Sequence, residues 1–367
     1  MKHNWEYKQF TDIATSITPR IKVDKSDYLL EGPVPIISQE ESYISGYWDN
    51  LDDITPHNGP VIIFGDHSRV LKYVDCDFVV GADGVKIISP KDCICAKFLF
   101  HFLKWYNIPS LGYSRHFKLI KDATFPVPSI ETQMQIVAEL DKINETIEDC
   151  RELLRNLDAL KLSLFYDYFG DPNTNPKNWN ISTFGEIGTF IRGGGFLKRD
   201  FVDFGIPCIH YGQIHTKFGE VVRKNLTYIS EYTALKSKFA KPNDVILAIT
   251  SEDLEGSCKS VAWLGDFEVA VGGHAAIFTH NQNPVFISFY TRSNAFCIEK
   301  EKYAHGSKVV EIRPKDIEKI PIYLPPLELQ EKFAERIEQI EEQKKDVENT
   351  IAELQTLLDS RMDYWFN

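Results

Sequence analysis

The chain holds 367 residues, 43 % hydrophobic and 26 % charged, which suits two or three folded domains and excludes a wholly disordered chain. No run of about 18 uncharged apolar residues occurs, and the opening MKHNWEYKQF lacks the apolar core of a signal peptide, so a spanning or exported protein is not expected. The formal net charge is −12, but residues 129–168 carry 9 acids and 4 bases and residues 326–367 carry 11 and 5, so the remainder is nearly neutral and able to present a basic face.

Residues 1–128 read as short β-branched runs punctuated by Gly, Pro and Asp, hence strands and turns. GPVPII (Gly32 to Ile37) and VVGADGVKII (Val79 to Ile88) are the clearest runs. The most apolar stretch, CICAKFLFHFLKWY (Cys93 to Tyr106), is interrupted by Lys97, His101 and Lys104 and predicts a helix over 96–106. The seven cysteines contain no Cys-x-x-Cys and are expected to be reduced thiols of a cytoplasmic protein, used for packing.

At Pro128 the texture changes. PSIETQMQIVAELDKI opens a segment, 129–169, free of Pro and Gly up to Gly170. Ser129 suits an N-cap and Glu131 the first turn. Its apolar ladder is Ile136, Leu140, Ile143, Ile147, Cys150, Leu154 and Leu157, the alternating steps of four and three that mark a heptad seam. GDPNTNPKNW (Gly170 to Trp179) is a turn-rich linker into a second globular segment, 170–325, with a helix expected over 284–297. PPLELQEKFAERIEQI then opens 326–367, whose ladder is Phe333, Ile337, Ile340, Lys344, Val347, Ile351 and Leu354. Only Lys344 breaks it.

The chain therefore repeats itself. Pro128, Glu131, Gln133 and Ile143 meet Pro325, Glu328, Gln330 and Ile340 at a shift of 197. Trp5, Phe10, Ile13 and Ile17 meet Trp179, Phe184, Ile187 and Ile191 at a shift of 174. Each ladder predicts one helix of about 35 residues, roughly 50 Å long, and an apolar seam of that length needs a partner. A parallel pairing would force the intervening globule to return the chain by the full helix length, so an antiparallel pair is expected. Antiparallel helices turn a tandem repeat into a two-fold pair, and duplex DNA offers dyad-related half-sites.

The order globule, helix, globule, helix resembles the specificity subunit of type I restriction–modification systems. The resemblance covers nearly the whole chain and rests on the two Pro-x-x-Glu-x-Gln helix starts, on IIFGDHSRVLKYVDCDFVVGADGVKII (Ile62 to Ile88) and on GIPCIHYGQI (Gly205 to Ile214). The first helix start reads VPSIETQ, without the usual double proline. The resemblance implies an α+β fold. Target recognition domains over 1–128 and 170–325 would be separated by a long antiparallel two-helix coiled coil, 129–169 and 326–367, with pseudo-two-fold symmetry. It implies a non-catalytic subunit that reads a bipartite target in double-stranded DNA across an unspecified gap. It also implies two modification (adenine methyltransferase) subunits as partners, with ATP-dependent restriction subunits beside them. No cofactor is expected on this chain; S-adenosylmethionine and ATP belong to the partners. The chain carries no Gly-x-x-x-x-Gly-Lys-Ser/Thr loop and no Asn/Asp-Pro-Pro-Tyr/Phe element. His210 and His215 lack further ligands at zinc-like spacing, so no metal is expected.

Base readout needs polar side chains on exposed loops, and phosphate contacts need Lys, Arg or backbone amides. In the first globule these criteria select Gln39, the loop 65–69 with His67, Ser68 and Arg69, and the loop 113–116 with Tyr113, Ser114, Arg115 and His116. In the second they select Arg192, Lys198 and Arg199 around Gly193 to Gly195, then Gln213, Thr250, Ser251 and Lys308. The triple glycine would let backbone approach a phosphate. His274, after Gly272 and Gly273, reads as a buried strand residue. On the residues alone two other readings stand: a coiled-coil scaffold protein, and a stand-alone DNA methyltransferase or nuclease.

Overall fold

The computed structural model describes residues 4–81, 84–112, 114–306 and 309–367. The chain divides into two units, Met1–Leu153 with Val347–Asn367, and Leu154–Asp346. Both mix helix and sheet, and both are built on the same plan.

In the first unit a four-stranded antiparallel sheet runs in the order Ala14–Ile17, Val85–Pro90, Val61–Gly65, Leu71–Val74. Every residue of Val61–Gly65 is buried, because both faces of the sheet are covered and a strand so placed reads as a continuous apolar run. Successive side chains still alternate. Ile62 and Phe64 face the core shared with the helix Ala96–Tyr106, while Val61 and Ile63 face Ile37 and Val80 of a second sheet. That second sheet has the order Lys22–Val23, Val79–Gly81, Val34–Ile37, Gly46–Trp48, with a parallel pair at its centre.

The second unit repeats the arrangement with five strands in each sheet. One has the order Gly188–Arg192, Ala275–His280, Val245–Ala248, Lys259–Trp263, Val221–Val222. The other has the order Phe201–Val202, Thr227–Ile229, Ile206–Ile209, Val269–Val271, Lys238–Ala240. Val245 and Leu247 face one core, Ile246 and Ala248 the other. A two-stranded ribbon closes each globule. Glu6–Gln9 pairs with Thr124–Val127, and Asn180–Thr183 pairs with Pro321–Leu324 in the same register. The second copy holds 23 more residues between these strands. The single helix expected over 284–297 is two, Pro284–Tyr290 and Asn294–Glu301. Thr291 turns its hydroxyl back on the Ile287 and Ser288 carbonyls, and Ser293 caps the new start by accepting from the Phe296 amide.

The two long helices are Ile130–Phe169 and Leu327–Phe366, 40 residues each. Ser129 accepts the Thr132 amide at the first start. Gln133 and Gln330 are fully buried. The Gln133 side chain accepts the Cys95 amide and donates to the Cys93 and Pro128 carbonyls at 2.7, 3.0 and 2.9 Å. Gln330 accepts the Asn283 amide and donates to Gln282 Oε1 and the Pro325 carbonyl at 3.0, 2.9 and 2.8 Å. Cys95 and Asn283 are the N-caps of the helices Ala96–Tyr106 and Pro284–Tyr290. Asp141 of the first long helix also takes Lys97 at 2.7 Å and His101 at 2.8 Å, which explains two of the three polar interruptions of that apolar stretch.

In the first unit Ile136, Leu140, Ile143 and Ile147 share a core with Leu358, Met362 and Phe366, and Ile351 and Leu354 pack at its edge. Arg361 and Trp365 donate to Glu139. In the second unit Leu157 is buried and Leu154 half-buried, while Phe165 and Phe169 pack on Phe333 and Ile337. Ile340 is buried and Val347 half-buried. Lys344, the break in the ladder, pairs with Asp158 at 2.5 Å. Lys161 pairs with Glu341 at 2.7 Å. Partners on the second long helix fall in number as the first advances from Asp158 through Lys161 to Phe165, so in this unit the helices run antiparallel. Beyond Leu157 and Leu354 the ladders change to steps of four. They end on Phe165 and Phe169 in the second unit and on Met362 and Phe366 in the first. The heptad reading stops short of these turns.

Lys161 is buried at the seam and meets Glu220 at 2.7 Å as well as Glu341. Glu220 also meets Arg292 at 3.4 Å. Burial pushes the Glu220 carboxyl up, but Arg292 and Lys161 outweigh it and hold the group below its ordinary value. Burial likewise lowers Lys161, and Glu220 and Glu341 outweigh that and raise it. A carboxylate depressed in the folded state stabilises above its unfolded value of 4.5 and stops doing so as the pH falls below it. Lys161→Met should lower the stability of the second unit by roughly 3 kcal/mol, because Glu220 stays buried with one cation fewer. Adding Glu220→Gln should recover most of that loss, and the penalty of Lys161→Met should shrink below about pH 4. Urea denaturation across the double-mutant cycle checks both.

Candidate nucleic-acid interface

In each unit the chain leaves one sheet and enters the other within a few residues, after Gly81 and before Val85 in the first and after Val271 and before Ala275 in the second. The loops that carry the candidate readers gather at these points.

In the first unit the organiser is Asp66. Its carboxylate accepts the Phe117 amide at 2.8 Å, and its amide donates to the Gly84 carbonyl at 2.7 Å. Its carbonyl accepts both the amide and Nδ1 of His116 at 2.9 Å. His116 Nε2 accepts the Leu111 amide at 2.9 Å. His116 is therefore buried, at 1 % exposure, with both ring nitrogens used inside the protein. The expectation of an exposed side chain is corrected. Sequence shows His116 between loop residues, but not that it folds under them to brace the loop 65–69. Gln39 is half-buried and packs against Gly65 and Gly84. Gly84 has φ +88°, and a Cβ there would sit 2.9 Å from Gln39 Oε1, so only glycine fits. His67, Ser68, Arg69, Ser114 and Arg115 are exposed. Arg69 has φ 62° and donates to the Ile108 carbonyl at 3.0 Å. Lys72, absent from the sequence reading, is buried and donates to the Ser38, Ser42 and Tyr43 carbonyls, holding the segment that carries Gln39. Burial pushes its ammonium below the ordinary lysine value.

The second unit opens a groove of about 1330 Å³ whose walls include Lys198, Tyr211, His215, Thr250, Ser251 and His274. The Tyr211 ring lies 4.6 Å from that of His210, 5.0 Å from His274 and 5.9 Å from His215. His215 Nε2 donates to the Thr250 carbonyl at 3.1 Å, and Thr250 Oγ1 bonds His274 Nδ1 at 3.1 Å. Lys259 donates to the His215 carbonyl at 3.0 Å. Burial first, then the charges of Lys198 and His274, lower His210 to about 4, so it stays neutral at physiological pH.

Several expectations change here. His274 is exposed, because the chain switches sheets at Gly272 and Gly273 instead of continuing one strand. Thr250 is buried, at 5 % exposure. Gln213 is half-buried and engaged, accepting the His210 amide at 2.9 Å and donating to Thr227 Oγ1 at 3.2 Å. The triple glycine is a close crossing of backbones. The Gly193 and Gly194 amides donate to the Ala275 and Val271 carbonyls, and a Cβ on Gly193 would meet Gly272 O at 2.3 Å. Arg192 is exposed but tied to the Gly273 carbonyl and to Glu311. Lys198 and Arg199 are exposed and Ser251 half-exposed. Lys308 and Tyr113 lie outside the described residues. Among the described residues no group of three His, Cys, Asp or Glu is placed to hold a metal ion, and no helix is long and apolar enough to cross a membrane. Tyr211, Lys72 and Lys259 were not picked out by sequence, and His215 and His274 were weighed there as histidines outside any ligand or reading role. The phrase GIPCIHYGQI contains Tyr211 and ends beside His215.

The geometry supplies cationic tips, hydroxyls, imidazoles and a tyrosine face, the groups used on phosphates and base edges. Known proteins share the sequence pattern and the fold. A family model described as type I restriction modification DNA specificity domain matches residues 2–157 and 176–356. A putative type I restriction enzyme specificity subunit of Haemophilus influenzae is 23 % identical over 355 residues, 92 % of this chain and 87 % of that one. The EcoR124I/EcoR124II specificity subunit of Escherichia coli is 26 % identical over 256 residues, 64 % of this chain and 61 % of that one. The S subunit of the type I restriction-modification system of M. genitalium shares the fold at a TM-score of 0.57 and 14 % identity, covering 98 % of this chain and 96 % of that one. A chain from a structure of the assembly of a type I R-M system shares it at 0.59 and 18 %, covering 99 % and 97 %.

His116→Ala should cost about 1–3 kcal/mol, because it strands the Leu111 amide and removes one partner of the Asp66 carbonyl. Arg115→Ala on the adjacent exposed position should stay within roughly 0.5 kcal/mol of the parent. Thermal unfolding of the two variants side by side checks the difference.

Proposed function

The chain belongs to the type I restriction modification DNA specificity family, and from that premise we propose how its parts divide the task. It is the subunit that recognises DNA for such a system and performs no catalysis itself. The observation that carries the proposal is the duplicated scaffold with unlike loops. After equivalent strands the first unit has Asp66 to Arg69 and the second Ile249 to Glu252; after Val34–Ile37 it has Ser38 and Gln39, and after Ile206–Ile209 the second has His210 and Tyr211.

On this reading residues 1–128 and 170–325 are two target recognition domains that read different half-sites. His67, Ser68, Arg69, Ser114 and Arg115 face DNA in the first. Lys198, Arg199, Ser251 and the Tyr211–His274 wall do so in the second. Gln39, His116, Gln213 and Thr250 hold those loops, and Arg192 fixes the turn at Gly273. Residues 129–169 and 326–367 form an antiparallel two-helix coiled coil that relates the domains by a pseudo-two-fold and sets the unread gap. The acid excess of these helices makes them poor DNA surfaces and suits them to protein. Two modification subunits would dock there and supply S-adenosylmethionine and the methylation of adenine, with ATP-driven restriction subunits joining them. Among the relatives, the assembled type I R-M system supports partners of this kind.

Selection from random duplexes should return a split consensus. Arg115→Ala should relax selectivity at one half-site by about 1–3 kcal/mol per base pair affected and leave the other unchanged. Inserting one heptad into both long helices should change the gap while both half-sites stay recognisable. A contiguous consensus, or an unchanged gap, contradicts the proposal. Transfer of labelled methyl groups to DNA by this chain alone would favour a stand-alone methyltransferase.

A further inference from the structure

The repeated Pro-x-x-Glu-x-Gln motif has a structural meaning that the helix seam does not require. Its proline and acid serve a helix start, but its glutamine does something else. Gln133 and Gln330 stand 197 residues apart and make the same set of contacts in two different globules. Each accepts the backbone amide of the residue that caps the globule's own helix, Cys95 or Asn283. Each donates to the carbonyl of the proline that ends the closing ribbon, Pro128 or Pro325. Each uses its second donor on the loop before that cap, at Cys93 O or Gln282 Oε1. Three segments meet on one buried amide: the long helix, the end of the ribbon and the helix that Cys95 or Asn283 caps. The long helix makes other contacts in each globule, Asp141 with Lys97 and His101 in the first and Phe333 with Phe169 and Phe289 in the second, yet the amide contacts are kept.

We infer that Gln133 and Gln330 are positioning residues that lock each recognition domain to its long helix, and so limit the gap lengths the protein accepts between half-sites. The inference rests on the proposed reading of the helices as spacer. Lengthening a gap by one base pair moves the far half-site by about 3.4 Å and turns it by roughly 35° about the DNA axis. A domain that rocks on its helix by that angle accepts both spacings; a domain held at three points does not. Only an amide meets the demand, because it offers one acceptor and two donors in a plane. Glutamate lacks the donors and methionine lacks all three groups at similar volume.

The test uses the full-length chain, its Gln133→Met and Gln330→Met variants and, as a control, Ile62→Val, which loosens a buried core position and leaves every hydrogen bond of both glutamines in place. Each is bound to duplexes carrying the selected half-sites with the gap varied one base pair at a time. The parent and Ile62→Val should prefer one gap by about tenfold or more over its neighbours. Each methionine variant should reduce that preference to about threefold or less with both half-site consensus sequences unchanged. Undiminished gap selectivity in both methionine variants overturns the inference. Absence of any gap preference in the parent brings down the spacer reading itself, a separate outcome. If the methionine variants do not fold, hydrogen exchange in the parent decides. Cys95 and Asn283 amides that exchange only with global unfolding support rigid joints, and exchange much faster than in the adjoining helices overturns them.

Discussion

Each globule closes its core with the end of a helix that begins in the other unit. Phe366 makes edge contacts with Phe98 and Phe102 at 5.6 and 5.5 Å, deep in the first unit. Its helix starts at Leu327, in the second. Phe169 meets Phe286 and Phe333 at 4.9 and 5.1 Å in the second unit, and its helix starts at Ile130, in the first. A buried aromatic of this size contributes several kcal/mol, so neither helix can fray at its far end without opening a core. That coupling keeps two 40-residue helices with largely polar outer faces ordered. It also places the glutamine clasps at the near ends and the aromatic staples at the far ends, so each helix is held twice.

The charge distribution follows from the same arrangement. The acid excess lies on helices whose buried sides are already committed to seam and cores. The cations of the globules divide into two groups. Lys72, Lys259 and Lys300 are spent inside, on carbonyls of loops and turns. Arg115, Lys198 and Arg199 are exposed. A nearly neutral globule therefore still exposes single cations, which a net charge of −12 hides, although Glu252, Asp253 and Glu255 line the same groove as Lys198.

The large features were legible because they obey simple periods. The shifts of 174 and 197 mark the two ends of a duplicated scaffold, and the structure pairs Gln9 with Thr124 and Thr183 with Pro321 in matching register. The four–three ladders picked out positions that are buried or half-buried along the two helices, and Lys344 was the one misfit because it answers Asp158, a partner that sequence does not reveal. The closing steps of four escaped notice because they belong to globule packing and not to the heptad. Individual loop residues were the least legible. His116 and Thr250 look like surface residues in sequence and His274 like a core one, yet burial there depends on where the chain changes sheets. Gly193 and Gly194 looked like a phosphate cradle for the same reason. Glycine signals close approach, but not of what.

The exchange of helix ends between units is the claim on which the spacer reading stands, and a chain ending at Asp346 tests it most directly. Hydrogen exchange on that chain should show protection lost in Val61–Gly65 and Ala96–Tyr106, far away in sequence, and retained in Val245–Ala248. Full protection of the first unit without residues 347–367 would contradict the account.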